Sequence, residues 1–121
     1  MKITRFFTRD THAPYDGINF ETRTSEIKKI DGSKVHTIKK VVVPSFWSQV
    51  ATDILAQKYF RKAGVPVSVK RKQEKGVPEW LQCSVFDEEA LEKLTLEDRF
   101  RGEEDAREVF DRMAGCWTYW G

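Results

Sequence analysis

The chain has 121 residues and a mass of 14.1 kDa, which allows one domain with a modest core. Hydrophobic residues make up 40% and charged residues 33%, and no apolar run approaches the ~18 residues of a membrane span. The net charge of +2 hides a split: residues 1–75 hold 16 Lys/Arg against 7 Asp/Glu, and residues 76–121 hold 5 against 12.

Such a split can mark a basic nucleic-acid face. It can equally mean two ends that attract each other, or a basic flank that packs on an acidic neighbour. The cations are spread over several elements and do not share one aromatic-studded surface, which favours the last two readings. The start, Met1-Lys2-Ile3-Thr4-Arg5-Phe6-Phe7, lacks the apolar h-region of a signal peptide, so a cytoplasmic protein is expected. Cys83 and Cys116 are far apart and have no His pair nearby, which is not zinc spacing. Two free thiols fit that compartment better than a disulfide.

Residues 1–23 read as an irregular arm, with a turn at Pro14, Asp16 and Gly17. Residues 24–43 read as a hairpin around Asp31-Gly32, because Gly takes the positive φ a tight turn needs. On its second strand Val35, Thr37, Lys39, Val41 and Val43 alternate to one side, with Ile38, Lys40 and Val42 on the other. Both faces are mixed, so an exposed or edge strand protected by lysines is expected.

Residues 45–64 read as an amphipathic helix capped by Ser45 or Ser48. Trp47, Val50, Ala51, Ile54, Leu55 and Tyr59 form its apolar stripe. Lys58, Arg61 and Lys62 suit the negative end of the helix dipole, and Gly64 and Pro66 supply the stop. Residues 65–86 read as a linker holding the basic cluster Lys70-Arg71-Lys72, with Pro66 and Pro78 opposing a long regular element.

Residues 87–121 read as helices. Asp87 caps a short one over Glu88–Leu94, and Thr95 with Asp98 starts another turn. The last helix begins near Glu103–Asp105, with the stripe Ala106, Val109, Phe110, Met113, Ala114 and Trp117. Gly115 costs it about 1 kcal/mol of propensity and suggests close packing against another element. The chain then ends on Cys116-Trp117-Thr118-Tyr119-Trp120-Gly121. Termini are usually polar and exposed, whereas each large aromatic needs roughly 150–250 Å² of partner surface. Either this end folds back into the core, or the sequence is cut from something longer. Together the elements predict an α+β chain: a small, mainly helical domain with an irregular N-terminal segment and a β-hairpin.

Independent catalysis has no support in the residues. There is no glycine-rich phosphate loop, nucleophile elbow or His-Glu-x-x-His. His12 and His36 are isolated and read as solvated surface residues. Glu88, Glu89, Glu103 and Glu104 read as helix-start charges. Cys116 lies late in a helix, where an anion is disfavoured, so it reads as a buried structural cysteine.

Two long strings carry a resemblance. Trp47-Ser48-Gln49-Val50-Ala51-Thr52-Asp53-Ile54-Leu55-Ala56-Gln57-Lys58-Tyr59-Phe60-Arg61-Lys62-Ala63-Gly64-Val65-Pro66 closely resembles the N-terminal region of vitamin B12-dependent (class II) ribonucleotide reductases. So does Ala106-Arg107-Glu108-Val109-Phe110-Asp111-Arg112-Met113-Ala114-Gly115-Cys116-Trp117-Thr118-Tyr119-Trp120-Gly121. Pro14–Ile18, Arg23–Ile27 and Asp31–Ser33 add to it, so the likeness covers essentially the whole chain. Lys28–Ile30, Thr37–Lys40 and residues 67–86 depart from the pattern.

The resemblance implies an enzyme that reduces ribonucleoside diphosphates to 2′-deoxyribonucleotides. It implies adenosylcobalamin as radical source, a catalytic cysteine in a ten-stranded α/β barrel absent from this chain, and a thioredoxin-type reductant. No catalytic, cobalamin-binding or metal residue is carried over to this segment. It implies a structural domain that precedes the barrel and packs on it, with Trp117, Tyr119 and Trp120 as the seam. The rival reading is a free-standing nucleic-acid-binding or regulatory module that uses its basic half. Salt-dependent binding to DNA or RNA would mark it.

Overall fold

The computed structural model describes residues 3–121; the expected arm's Met1 and Lys2, and the side chain of Val35, lie outside the described residues. Helix and strand occur in comparable amounts, so the fold is α+β but not mainly helical. In chain order the elements are β1 (Phe20–Lys28), β2 (Lys34–Pro44), α1 (Gln49–Ile54), a π-helical turn (Leu55–Tyr59), β3 (Val65–Pro66) and β4 (Val69–Arg71). A 3₁₀ turn (Glu79–Leu81), β5 (Ser84–Phe86), α2 (Glu88–Glu92), a second 3₁₀ turn (Leu96–Asp98), β6 (Phe100–Arg101) and α3 (Ala106–Trp120) follow.

β1 and β2 pair antiparallel around the Asp31-Gly32 turn, where Gly32 has φ +83°. The hairpin starts at Phe20, four residues earlier than expected. Its register steps from Arg23↔Val41 to Ser25↔Ile38, so β2 carries one extra residue at Lys39-Lys40. That bulge reverses the side-chain alternation along β2. Ile38 therefore joins Val41 and Val43 against the core, contrary to the strict two-residue period. Nor is β2 merely an exposed edge, since the Val42 amide donates to the Glu104 carbonyl at 2.7 Å and Val41 and Val43 are fully buried.

The core forms where three elements meet. Val41 and Val43 from the hairpin, Leu55, Ala56 and Phe60 from the π-turn and its end, and Ala106 and Val109 from α3 are buried together. Arg23 fastens the hairpin to α1, donating to the Trp47 and Ser45 carbonyls and to Thr52 Oγ1. Ser48 caps α1, accepting from the Ala51 amide at 3.1 Å.

The expected single helix over 45–64 is shorter and irregular. α1 gives way at Leu55 to the π-turn, in which the Phe60 amide donates to the Leu55 carbonyl five residues back, at 3.1 Å. This geometry is rare and clusters at functional sites. Of the three cations expected at its carboxyl end, Lys62 donates from Nζ to the Ala56 carbonyl.

The expected linker over 65–86 contains strands. β3 pairs with β6 (Val65↔Arg101, Pro66↔Phe100) and β4 with β5 (Val69↔Phe86, Lys70↔Val85, Arg71↔Ser84). Ladders of two or three residues are too short to leave a periodic signature. Where the β3–β6 region meets the end of the π-turn, a Cβ on Gly102 would stand 2.8 Å from the Lys62 carbonyl oxygen, so only glycine fits there.

Candidate docking surface

α3 positions the aromatic end. Asp105 caps it, and a complete capping box links Asp105 with Glu108. Burial pushes the carboxyls of Asp105 and Glu108 up, but their hydrogen bonds outweigh it. Arg107 pairs with Asp105 and Arg101 with Glu108, and both carboxyls end below their ordinary range.

The first half of α3 is tied down by a buried ion pair that the sequence reading missed. Glu103, read as an exposed helix-start charge, is 6% exposed. Arg112 donates to both its oxygens at 3.0 Å, and the Arg61 amide donates to it at 2.9 Å. Arg112 also reaches the Tyr59 carbonyl at 3.1 Å, so one side chain couples α3 to the π-turn. The sequence signal was weak: an acid at position 103 and an arginine nine residues on. Tyr15 Oη donates to Asp111 Oδ1 at 2.6 Å and brings the arm onto the same helix. Burial and this bond raise the Tyr15 phenol above its usual range.

At 100° per residue, Ala106, Val109, Phe110, Met113, Trp117 and Trp120 share a sector about 100° wide. Its amino-terminal part is covered. Beyond Met113 the stripe emerges, with Trp117 69% and Trp120 82% exposed. Tyr119 lies outside the sector, on the Arg112 side. Its hydroxyl donates to Glu74 Oε2 at 2.6 Å, while Glu74 Oε1 accepts the Cys83 amide at 2.8 Å. The Glu74 hydrogen bond raises the Tyr119 phenol, and the same bond holds the Glu74 carboxyl low. Of the three expected seam residues, Trp117 and Trp120 share a sector by helical phase, while the Trp120 ring stands edge-on to Tyr119 with centroids 6.2 Å apart and both line one hollow.

Two hollows flank α3. One, of about 390 Å³, lies between α1, the π-turn and α3 and is walled by Trp47, Ala51, Leu55, Val109, Phe110 and Met113, with Ile54 and Tyr59 at its lip. The other, about 750 Å³, lies on the Tyr119 side, where Cys83, Cys116, Trp80, Arg61 and Arg71 line it. Both thiols are free and exposed, so Cys116 is not the buried structural residue expected. Gly115 also departs from expectation: a Cβ there would meet nothing within 4 Å.

The remaining sequence candidates do not converge. Arg71 donates to the Gln82 carbonyl at 2.7 Å, whereas Lys70 lines a hollow with Val85, Phe86 and Glu88, so strand alternation divides the basic cluster. Of the described ion pairs, Lys40–Glu104 at 3.6 Å joins the basic and acidic parts of the chain. His12 and His36 are exposed, and His12 sits in the arm 2.7 Å from Thr11 Oγ1. Among the described residues no three His, Cys, Asp or Glu side chains gather as a metal site. No helix among them is long and apolar enough to cross a membrane. His12 lines a hollow of the arm with Phe7, Arg9 and Asp16, and neither histidine lines the two hollows beside α3.

Comparison with known proteins supplies the context for the uncovered stripe. Residues 21–121 match the family described as class II vitamin B12-dependent ribonucleotide reductase. The chain is similar to the vitamin B12-dependent ribonucleotide reductase of Bradyrhizobium diazoefficiens, at 53% identity over all 121 residues. It is 52% identical over the same span to the enzyme of that name from Agrobacterium fabrum. In both cases all of this chain aligns with 10% of the relative's length, so the chain spans about a tenth of the curated relatives it matches. By sequence and extent of match, the chain belongs to the class II vitamin B12-dependent ribonucleotide reductase family, whose N-terminal region it resembles.

Proposed function

We propose that this segment is a structural docking domain of a reductase that converts ribonucleoside diphosphates to 2′-deoxyribonucleotides. In that reaction the 2′-hydroxyl leaves as water. Two electrons come from a cysteine pair, which closes to a disulfide and is reopened by a thioredoxin-type dithiol. The catalytic cysteines, the ten-stranded barrel and the adenosylcobalamin site belong to the remainder of the polypeptide. The segment's part is to present Trp117 and Trp120 to that remainder.

One observation carries the reading: a chain matching a tenth of its relatives leaves two tryptophans of one helix face largely in solvent. Exposed apolar surface of this kind marks an interaction site. The test compares the full-length reductase with a form lacking residues 1–121. The measurements are deoxyribonucleotide formation, with adenosylcobalamin and a dithiol supplied, and thermal stability. Loss of stability together with activity, with no turnover by residues 1–121 alone, is the expected result. A truncated enzyme with full activity and an unchanged melting temperature would overturn it.

A further inference from the structure

The geometry points to the groove between the π-turn and α3 as the seat of one amphipathic helix from the part of the reductase outside these 121 residues. This rests on the docking reading above and specifies its surface and its partner.

Three observations carry it. First, the groove has two helical walls and, among the described residues, no third element over it, with Ile54 50% and Tyr59 53% exposed at its lip. A helical pair with an open apolar furrow is completed by a third helix laid along it. Second, its walls are apolar apart from the tips of Trp47 and Tyr59. A small ligand would find few groups to fix its orientation. A helix brings its own satisfied backbone and needs apolar contact alone, at i, i+3 or i+4, and i+7. Third, the groove's lining ends at Met113, but the apolar stripe of α3 continues by helical phase to the exposed Trp117, about one turn further on. That gives a path long enough for several turns of a partner helix. The relatives are about ten times the length of this chain, so a reductase of their length holds ample sequence to provide one.

The test is site-specific photocross-linking in the full-length reductase, which avoids large changes to the groove. p-Benzoyl-phenylalanine replaces Met113, Trp120 or Lys70 in turn, and joined peptides are mapped by mass spectrometry. The expected result joins Met113 to a peptide beyond residue 121 of the same polypeptide, with apolar residues at helical spacing, while Lys70 gives no such product. A product from Trp120 but none from Met113 would overturn the groove and leave the docking reading standing. Silence at both positions would remove both. A link from Met113 to a second copy, or back into residues 1–121, would also overturn the proposal. As a second readout, Ile54→Asp places a charge at the half-exposed lip. It is expected to raise limited proteolysis between the segment and the remainder about tenfold. An unchanged rate would count against the groove.

Discussion

The two halves of α3 make the same kind of helix and meet opposite fates. From Ala106 to Val109 the apolar stripe is buried against the hairpin and the π-turn, Phe110 and Met113 are half-buried at the groove, and Arg112 anchors the flank to buried Glu103. From Cys116 to Gly121 the same stripe runs on into solvent, and Tyr119 is tied back through Glu74. Local periodicity is identical in both halves. What differs is whether this domain has surface to spare for them. An amphipathic pattern thus fixes which face is apolar, and not which neighbour covers it.

Substitutions can break or sharpen that contrast. Phe60→Ala should cost the most, about 3–5 kcal/mol, because Phe60 is fixed in the core where the covered half packs. Urea unfolding of the chain measures it; a loss under 1 kcal/mol would mean that the core does not centre there. Glu103→Ala should cost about 3 kcal/mol, since it strands the half-buried Arg112 and the Arg61 amide. Asp105→Ala should cost about 1 kcal/mol through the lost cap.

That cap also sets an acid limb. The folded-state pKa values of Asp105 and Glu108 lie below their unfolded ones. Their contribution is complete above the ordinary carboxylate range and is lost as pH falls from there through the lowered folded-state values. Asp105→Asn with Glu108→Gln should therefore flatten stability against pH below about pH 4. An equally steep acid limb in the double variant would place the titrating groups elsewhere.

In the uncovered half the effects shrink or change sign. Gly115→Ala should stabilise by up to about 1 kcal/mol, because the added methyl meets open space and the helix gains propensity. Trp120→Ala should shift stability by no more than about 0.5 kcal/mol in the isolated chain. A larger loss there would show that Trp120 packs within its own domain, and the contrast between the halves would fail.

Much of this was legible in the residues. Of the two serines read as possible caps, Ser48 takes the role, and Asp87 caps as expected; the last helix was expected to begin near Glu103–Asp105, and the structure makes Asp105 its cap. Asp31-Gly32 located the hairpin turn. The Lys39-Lys40 bulge was not legible, because one inserted residue leaves the composition of β2 unchanged while reversing its faces. The short ladders at Val65–Pro66 and Val69–Arg71 were hidden for want of length. Glu103 was misread because an acid just before a helix suits the dipole equally well exposed or buried; only Arg112, folded back to it, decides. At the candidate surface the tryptophans were conspicuous as aromatics without partners. Tyr119 stands next to Trp120 in sequence and in space, and helical phase turns its hydroxyl toward Glu74.

The π-turn has a consequence for how this segment can diverge. Between Leu55 and Phe60 the chain spends one residue more than an α-helical turn would. Deleting any one residue there would let an ordinary α-helical turn close between the same two groups, the Phe60 amide and the Leu55 carbonyl, so the residues on either side would keep their present phase. What is held here is the identity of the buried residues Leu55, Ala56 and Phe60, whereas the spacing between the two ends of the turn has one residue of slack.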